Sequence, residues 1–246
     1  MRIPRTRPVI GVFGSSDPET VELAEEIGYQ IAARSCVLLT GGTGRGRDRV
    51  KDRAILGAKR AGQKGYVAAW VGVERTKRHE DSERDGSGLI LRPGYEHKRN
   101  YVEAHLCDAA IALPGGEGTA SEAAFCLVLR RPIVLVGPKW VADYRLSVEN
   151  NAVAVGRFRK DTMERMSSHE QESPLDTAIA DAYRSLTLPA ARYLPLPDQT
   201  GAGPIVECVL DLVDRMALPG KIPEIAEFDT MIREYAEWLE QLPSRE

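Results

Sequence analysis

The chain has 246 residues, of which 43% are hydrophobic and 28% charged, and its formal net charge is -3. This composition is typical of a globular protein with a sizeable core, and it offers no global basic field that would hold nucleic acid. No apolar run approaches the ~20 residues that span a bilayer. The apolar stretch Val9–Phe13 is too short for a signal-peptide core and is interrupted by Gly11. We therefore expect a cytoplasmic protein that binds neither membranes nor nucleic acid.

The spacing of cysteines and histidines indicates neither a metal site nor a redox pair. No two cysteines form a C-x-x-C pair, and the histidines show no H-E-x-x-H grouping. Reduced, buried thiols are the expectation, with no metal and no cofactor. The residues are Cys36, Cys107, Cys126, Cys208, His79, His97, His105 and His169.

Short apolar strands alternate with amphipathic helices over the first part of the chain. The segment 74–88 interrupts this alternation, because it is charged and polar without periodicity, and we predict an exposed, mobile loop there. The predicted strands are 9–14, 36–40, 66–73, 89–91, 109–113 and 132–136, and the predicted helices are 18–34, 48–61, 97–106 and 120–129.

This order predicts an α/β fold with a doubly wound, Rossmann-like parallel sheet and helices on both faces. We expect residues 1–142 to form a nucleotide-binding core. Residues 143–246 should form a mostly helical extension that completes the same domain, with a strand at 191–196. Further helices are predicted at 176–186, 205–216 and 223–242. The apolar stripe of the last helix, from Ile225 to Trp238, fits packing on the domain's own core or a dimer contact.

The most informative motif is a glycine-rich turn between a buried strand and a helix. Its three glycines let backbone amides approach an anion closely, and the helix that follows presents free N–H groups and the positive end of its dipole. The pattern predicts a phosphate cradle, although it lacks the lysine of a Walker loop and the G-x-G-x-x-G spacing; a plain glycine turn is the alternative. The residues are Pro114, Gly115, Gly116, Glu117, Gly118 and Thr119.

Two charged residues are candidates for the same cleft. Glu122 follows Thr119 by three residues and would face the ligand, unless it serves only as a carboxylate that the helix dipole favours. Arg99, in the helix before the motif's strand, can clamp a phosphate or sugar oxygen in bidentate fashion, unless it is a solvated surface side chain.

Small residues also follow two neighbouring strands. Ligands of doubly wound sheets bind outside the carboxyl ends of the strands, so these turns would line the rest of the pocket. They comprise Gly14, Ser15, Ser16, Gly41 and Gly42.

These turns, Arg99 and the P-G-G-x-G-T-x-x-E run that ends at Glu122 resemble the Lonely Guy family, also called lysine-decarboxylase-like proteins, over about residues 8–136. Its better-known members are phosphoribohydrolases that cleave a nucleoside 5′-monophosphate into base and ribose 5-phosphate. The wider group includes molybdenum cofactor carriers and sensors of nucleotide-derived signals. The resemblance implies that the turn binds phosphate or ribose, that Arg99 and Glu122 are catalytic, and that the protein is a homodimer.

The sequence departs from the hydrolases at three points. Asn100 follows Arg99 where they have lysine, and we expect it at the ligand; Glu96 replaces a methionine; and residues 41–48 replace the run G-G-G-x-x-G-L-M-G. The Arg-Asn pair and the S-E-A-A-F run at 121–125 resemble the carrier-type branch.

The sequence thus favours a nucleotide phosphoribohydrolase and leaves two alternatives open. One is a non-catalytic carrier or sensor of a phosphorylated ligand. The other is a regulatory subunit that uses the C-terminal helices as an interaction surface.

Overall fold

A ten-stranded sheet organises the chain in the computed structural model. The residues that it describes are 7–16, 18–44, 48–76, 79–94, 99–137, 147–149, 152–154, 191–194, 201–215 and 229–243. The elements are, in chain order, β1 (Val9–Phe13), α1 (Pro18–Ala33), β2 (Val37–Thr40), α2 (Val50–Gln63), β3 (Trp70–Val73), β4 (His79–Asp85), β5 (Gly88–Pro93), α3 (Arg99–Leu106), β6 (Ala109–Ala112), α4 (Glu117–Val128), β7 (Ile133–Val136), β8 (Ser147–Glu149), β9 (Ala152–Ala154), β10 (Ala191–Leu194), α5 (Ala202–Arg215) and α6 (Asp229–Glu240).

The seven central strands are parallel, in the order β5-β3-β2-β1-β6-β7-β10. Strand β4 pairs antiparallel with β5 at one edge, and the antiparallel strands β9 and β8 follow β10 at the other. The chain builds outward from β1 through β2 and β3, and then returns to place β6 on the opposite side of β1. The carboxyl ends of β1 and β6 are therefore the topological switch point, where such sheets bind ligands.

Apolar side chains of the sheet alternate between two hydrophobic clusters, one on each face. Val9 and Phe13 of β1 belong to the cluster that contains α3, α4 and α6, whereas Ile10 and Val12 belong to the cluster that contains α1, α2 and α5. This arrangement confirms the predicted doubly wound α/β fold. No helix in the described ranges is long and apolar enough to cross a membrane.

Helix α6 packs its apolar stripe against the protein's own core. Met231, Tyr235 and Trp238 are buried there, and the hydroxyl of Tyr235 donates a hydrogen bond to the carbonyl oxygen of Leu106 at 3.1 Å. The described part of the stripe thus follows the first of the two predicted arrangements. Met231, Tyr235 and Trp238 are therefore not exposed as an interaction surface in the described part of the chain.

The predicted loop at 74–88 is wrong for residues 79–85, which form the edge strand β4. The strand has no apolar residue, so hydrophobic periodicity gives no signal, and a solvent-facing edge strand needs none. Backbone pairing with β5 and ion pairs hold it instead. Arg92 of β5 donates from Nε to Glu74 at 2.7 Å and from Nη2 to Glu83 at 2.5 Å.

The C-terminal extension adds elements to the same sheet and core. The strand predicted at 191–196 is confirmed as β10, which pairs parallel with β7, and α5 packs in the cluster of α1 and α2. The helix predicted at 176–186 lies outside the described residues. The boundary between the nucleotide-binding core and the C-terminal extension at residue 142 remains a prediction.

Candidate functional site

A cavity of about 840 Å³ opens at the switch point of the sheet. The turns after β1 and β2 and the start of α4 form its walls. In the described part of its lining there is no aromatic or aliphatic side chain, whereas four side chains are cationic and two are carboxylates. These are Arg49, Lys51, Arg75 and Arg99, with Asp52 and Glu74.

The structure brings most of the predicted site residues to this cavity. Pro114, Gly115, Asn100 and Glu122 lie behind its wall or beneath its floor, and the side chain of Glu117 is outside the described residues. The predicted residues that line the cavity are Gly14, Ser15, Ser16, Gly41, Gly42, Arg99, Gly116, Gly118 and Thr119.

The glycine-rich turn places the first turn of α4 at the cavity wall. Helix α4 begins at Glu117, three residues before the predicted start, with Gly116 as its N-cap. The backbone amides of this first turn have no intrahelical acceptor. A Cβ atom added at Gly116 or Gly118 would meet no atom within 4 Å, so space is open above this backbone. The turn can therefore present amide donors to an anion.

The side chain of Asn100 ties α3 to the glycine-rich turn. Its Nδ2 donates to the carbonyl oxygen of Gly118 at 3.3 Å and to the hydroxyl of Ser121, and its Oδ1 accepts from Arg99 at 3.2 Å. Asn100 thus braces the turn from behind. Its predicted contact with a ligand remains a prediction.

Four charged side chains from three helices meet at the cavity floor, and we call them the ionic cluster: Arg99 and Glu103 of α3, Lys51 of α2 and Glu122 of α4. Arg99 Nε lies 3.0 Å from Glu103 Oε1, and Arg99 Nη2 lies 3.4 Å from Glu122 Oε1. Lys51 Nζ contacts Glu122 Oε1 and lies 3.9 Å from Glu103 Oε2. Arg99 Nη1 also donates to the carbonyl oxygen of Gly41 at 3.0 Å, which joins the cluster to the turn after β2.

Burial and neighbouring charges set the ionisation of this cluster. Both carboxylate side chains are 0% exposed. Burial is the largest effect and raises the pKa of Glu122 to about 7. The positive charge of Lys51 lowers this pKa, the negative charge of Glu103 raises it, and the positive charge of Arg99 lowers it. For Arg99, burial lowers the pKa, but Glu103 and Glu122 outweigh burial and hold it above its ordinary value. Glu122 Oε2 accepts no hydrogen bond from any residue in the described ranges.

Sequence reasoning identified Arg99 and Glu122 and missed their two partners. Glu103 follows Arg99 by one helical turn, inside a run of buried residues, and an acidic residue in an apolar run is a signal that could have identified it. Lys51 gave no signal, because a lysine in the first turn of an amphipathic helix is ordinary. Asp52 was also missed; its carboxylate accepts from the amides of Thr43 and Gly44 at 3.2 and 3.1 Å and so shapes the turn after β2.

A doubly wound parallel sheet with a polar, cation-lined cavity at its switch point defines a Rossmann-like, ligand-binding protein. Residues 7–174 match the SLOG cluster4 family, and the chain belongs to that family. Membership confirms the resemblance to Lonely Guy-like proteins, a group with a nucleotide- or ligand-binding fold.

Known similar proteins include one of similar sequence and two solved structures of similar fold. An uncharacterised protein of Archaeoglobus fulgidus is 34% identical over 137 residues, which are 52% of this chain and 83% of that protein. The molybdenum cofactor binding protein of Rippkaea orientalis has a similar structure, with a TM-score of 0.51, 20% identity, and 84% of this chain and 98% of that one covered. The molybdenum cofactor carrier protein of Chlamydomonas reinhardtii gives a TM-score of 0.50 at 21% identity, over 85% and 99% of the two chains. At these identities the two structures show a shared fold.

Proposed function

We propose that this protein is a nucleoside 5′-monophosphate phosphoribohydrolase, which cleaves the N-glycosidic bond to give a base and ribose 5-phosphate. One observation carries the proposal. Arg99 lines a cavity whose wall includes the N-terminus of α4, and the buried carboxylate of Glu122 lies 3.4 Å from the Arg99 guanidinium, beneath the cavity floor. An anion-binding helix terminus and a guanidinium paired with a buried carboxylate therefore belong to one site.

The geometry supports phosphate binding at the cavity wall and chemistry at the cavity floor. The amides at the start of α4 would bind the 5′-phosphate, and Arg99 would hold the ribose and orient Glu122. Cleavage of the glycosidic bond passes through an oxocarbenium-like state, which a nearby carboxylate stabilises electrostatically or by activating water. Water adds to the anomeric carbon, and the base leaves with a proton.

The cavity lining favours recognition of ribose phosphate over recognition of the base. In the described lining no apolar side chain offers a stacking surface, while four cations outnumber two carboxylates, which favours an anionic ligand. Guanidinium groups stack on planar rings, so Arg49 or Arg75 can cover a base. We therefore expect the enzyme to depend on the 5′-phosphate more strongly than on the identity of the base.

A non-catalytic carrier or sensor of a phosphorylated ligand is the second candidate. One observation favours it: Glu122 is 0% exposed and lies behind Lys51 and Arg99. A carboxylate in that position also fits a purely structural role. The similar fold of two molybdenum cofactor proteins agrees with this candidate.

Incubation with AMP, GMP, CMP and UMP, followed by chromatography for free base and ribose 5-phosphate, separates the two candidates. A hydrolase releases both products in equal amounts from at least one nucleotide. A carrier or sensor shows thermal stabilisation by a nucleotide or another phosphorylated ligand without product. No base release from any of the four nucleotides would contradict the proposed function, and absence of thermal stabilisation as well would count against both candidates.

The Gly116→Ala variant tests the phosphate cradle. No atom lies within 4 Å of the added Cβ, but alanine is a poorer N-cap than glycine, so we expect a melting temperature only a few degrees below wild type. Affinity for ribose 5-phosphate should fall at least about tenfold, because the methyl group occupies the anion's approach to the amides. The matched control is Gly201→Ala, outside the cavity and equally uncrowded. Unchanged affinity in Gly116→Ala would exclude the cradle.

The pH dependence of turnover follows from the pKa of Glu122, about 7. The reaction needs the carboxylate, so we expect kcat/KM, which reports ionisation of the ligand-free enzyme, to rise with pH from about one tenth of its plateau near pH 6 to about nine tenths near pH 8. The rate of base release at AMP concentrations far below KM, measured between pH 5.5 and 9, checks this. A rate that falls over that range would contradict a carboxylate role.

A further inference from the structure

Lys51 stands between the buried carboxylate Glu122 and the space that a ligand would occupy. Its Nζ contacts Glu122 Oε1, and its side chain is 14% exposed and lines the cavity. Glu103 and Glu122 have no such exposure and lie beneath it. An ammonium group has three N–H donors. Lys51 bonds one carboxylate, Glu122, and lies 3.9 Å from Glu103, so its ammonium group has donor capacity left for a ligand in the cavity that it lines.

Lys51 also balances the charge of the ionic cluster. With Lys51 the cluster has two cations and two buried carboxylates; without it, Arg99 alone would face both. Removal of one partner from a buried ion pair leaves an uncompensated charge, which the protein relieves by protonation.

The charged and titratable groups that face Glu122 come from each helix packed around it. Helix α2 contributes Lys51, and α3 contributes Arg99 and Glu103. On α4 itself, Cys126 lies one turn further on, and burial raises the pKa of its thiol well above the usual range, so it stays neutral. Lys51 lowers the pKa of Glu122 more than Arg99 does.

We propose that Lys51 is a positioning residue, which keeps Glu122 ionised and fixed at the cavity floor and donates to the ligand with the same ammonium group. The effect of Lys51 on turnover rests on the proposed function. Its effect on the ionisation of Glu122 is a property of the ligand-free protein and is tested separately.

The electrostatic part is tested by NMR titration of side-chain carboxyl carbons in ¹³C-glutamate-labelled protein, with Glu122 assigned from its missing signal in Glu122→Gln. In Lys51→Met the pKa of Glu122 should rise by at least about 1. In Lys51→Arg the pKa of Glu122 should stay near its wild-type value, because the positive charge is kept. Glu103→Gln should shift it downward, because Glu103 raises it. An unchanged pKa in Lys51→Met would overturn the inference. If Lys51→Met does not fold, Lys51→Gln takes its place, and an unchanged pKa of Glu122 in that variant would overturn the inference.

The functional part is tested with AMP as substrate. In Lys51→Met the pH of half-maximal kcat/KM should move upward with the pKa of Glu122, and KM should rise severalfold because the donor to the ligand is lost. In Lys51→Arg both the pH profile and KM should be close to those of wild type. If the role of Lys51 were purely structural, its loss would lower kcat without moving the pH profile. If wild type releases no base from any nucleotide, the proposed function fails while the titration still decides the role of Lys51.

Discussion

Glu122→Gln should lower the turnover of nucleoside monophosphates by about 10²–10⁴-fold, the range that one acid–base or electrostatic carboxylate contributes. Glutamine keeps the shape of the buried side chain and can still accept from Arg99, but it cannot ionise to stabilise positive charge at the anomeric carbon. Nucleotide affinity should change little, because the proposed phosphate donors are backbone amides at the start of α4, which the substitution leaves in place. Product chromatography gives kcat, and calorimetry gives the dissociation constant.

A second carboxylate of the cavity provides the matched control for Glu122→Gln. Glu74 lines the cavity but is held by Arg92 at 2.7 Å, away from the ionic cluster. Glu74→Gln should keep turnover within a few-fold of wild type. Equal losses in both variants, or retained turnover in Glu122→Gln, would remove Glu122 from the reaction.

Arg99→Met should destabilise the fold by about 3–5 kcal/mol, the cost of breaking a buried ion pair by removing one partner. The substitution leaves Glu103 and Glu122, both fully buried, with only Lys51 for compensation. It also removes the hydrogen bond to the carbonyl oxygen of Gly41. Urea unfolding followed by circular dichroism measures the change in the free energy of unfolding.

The double variant Arg99→Met/Glu103→Met separates charge from packing. Replacement of both partners by apolar side chains leaves the Lys51–Glu122 pair balanced, and such replacements are often neutral. We expect the double variant to recover most of the stability that Arg99→Met loses. A loss below about 1 kcal/mol in Arg99→Met, the value typical of exposed pairs, would show that the cluster is screened by solvent.

The fold was largely predictable because its strands are short, apolar and separated by amphipathic helices. Phe13 and Ile10 lie on opposite faces of β1, and helices cover both faces. The sequence of the strand is therefore a continuous apolar run, which is typical of a buried parallel strand. Strand β4 was missed for the opposite reason: the backbone and Arg92 hold it, and neither contributes to a hydrophobic pattern. The start of α4 was placed late because glycines at 116 and 118 argue against a helix by propensity.

The candidate site was predictable only where a local motif marks it. The glycine-rich turn, Arg99 and Glu122 are recognisable from short-range spacing. Lys51 is not, and Glu103 is marked only as an acidic residue in an apolar run, because the role of both depends on three helices meeting at the sheet's switch point. Such a cluster exists only in the folded chain. The homodimer and the cytoplasmic location remain predictions.

The most direct test of the account is a crystal structure of Glu122→Gln with ribose 5-phosphate. We predict that the phosphate lies within about 3 Å of the backbone nitrogens of Gly118 and Thr119, the distance of a hydrogen bond. The anomeric carbon should face residue 122 and Arg99. A phosphate bound instead at Arg49 and Arg75, with the sugar turned away from the floor, would contradict both the cradle and the reaction proposed for this site.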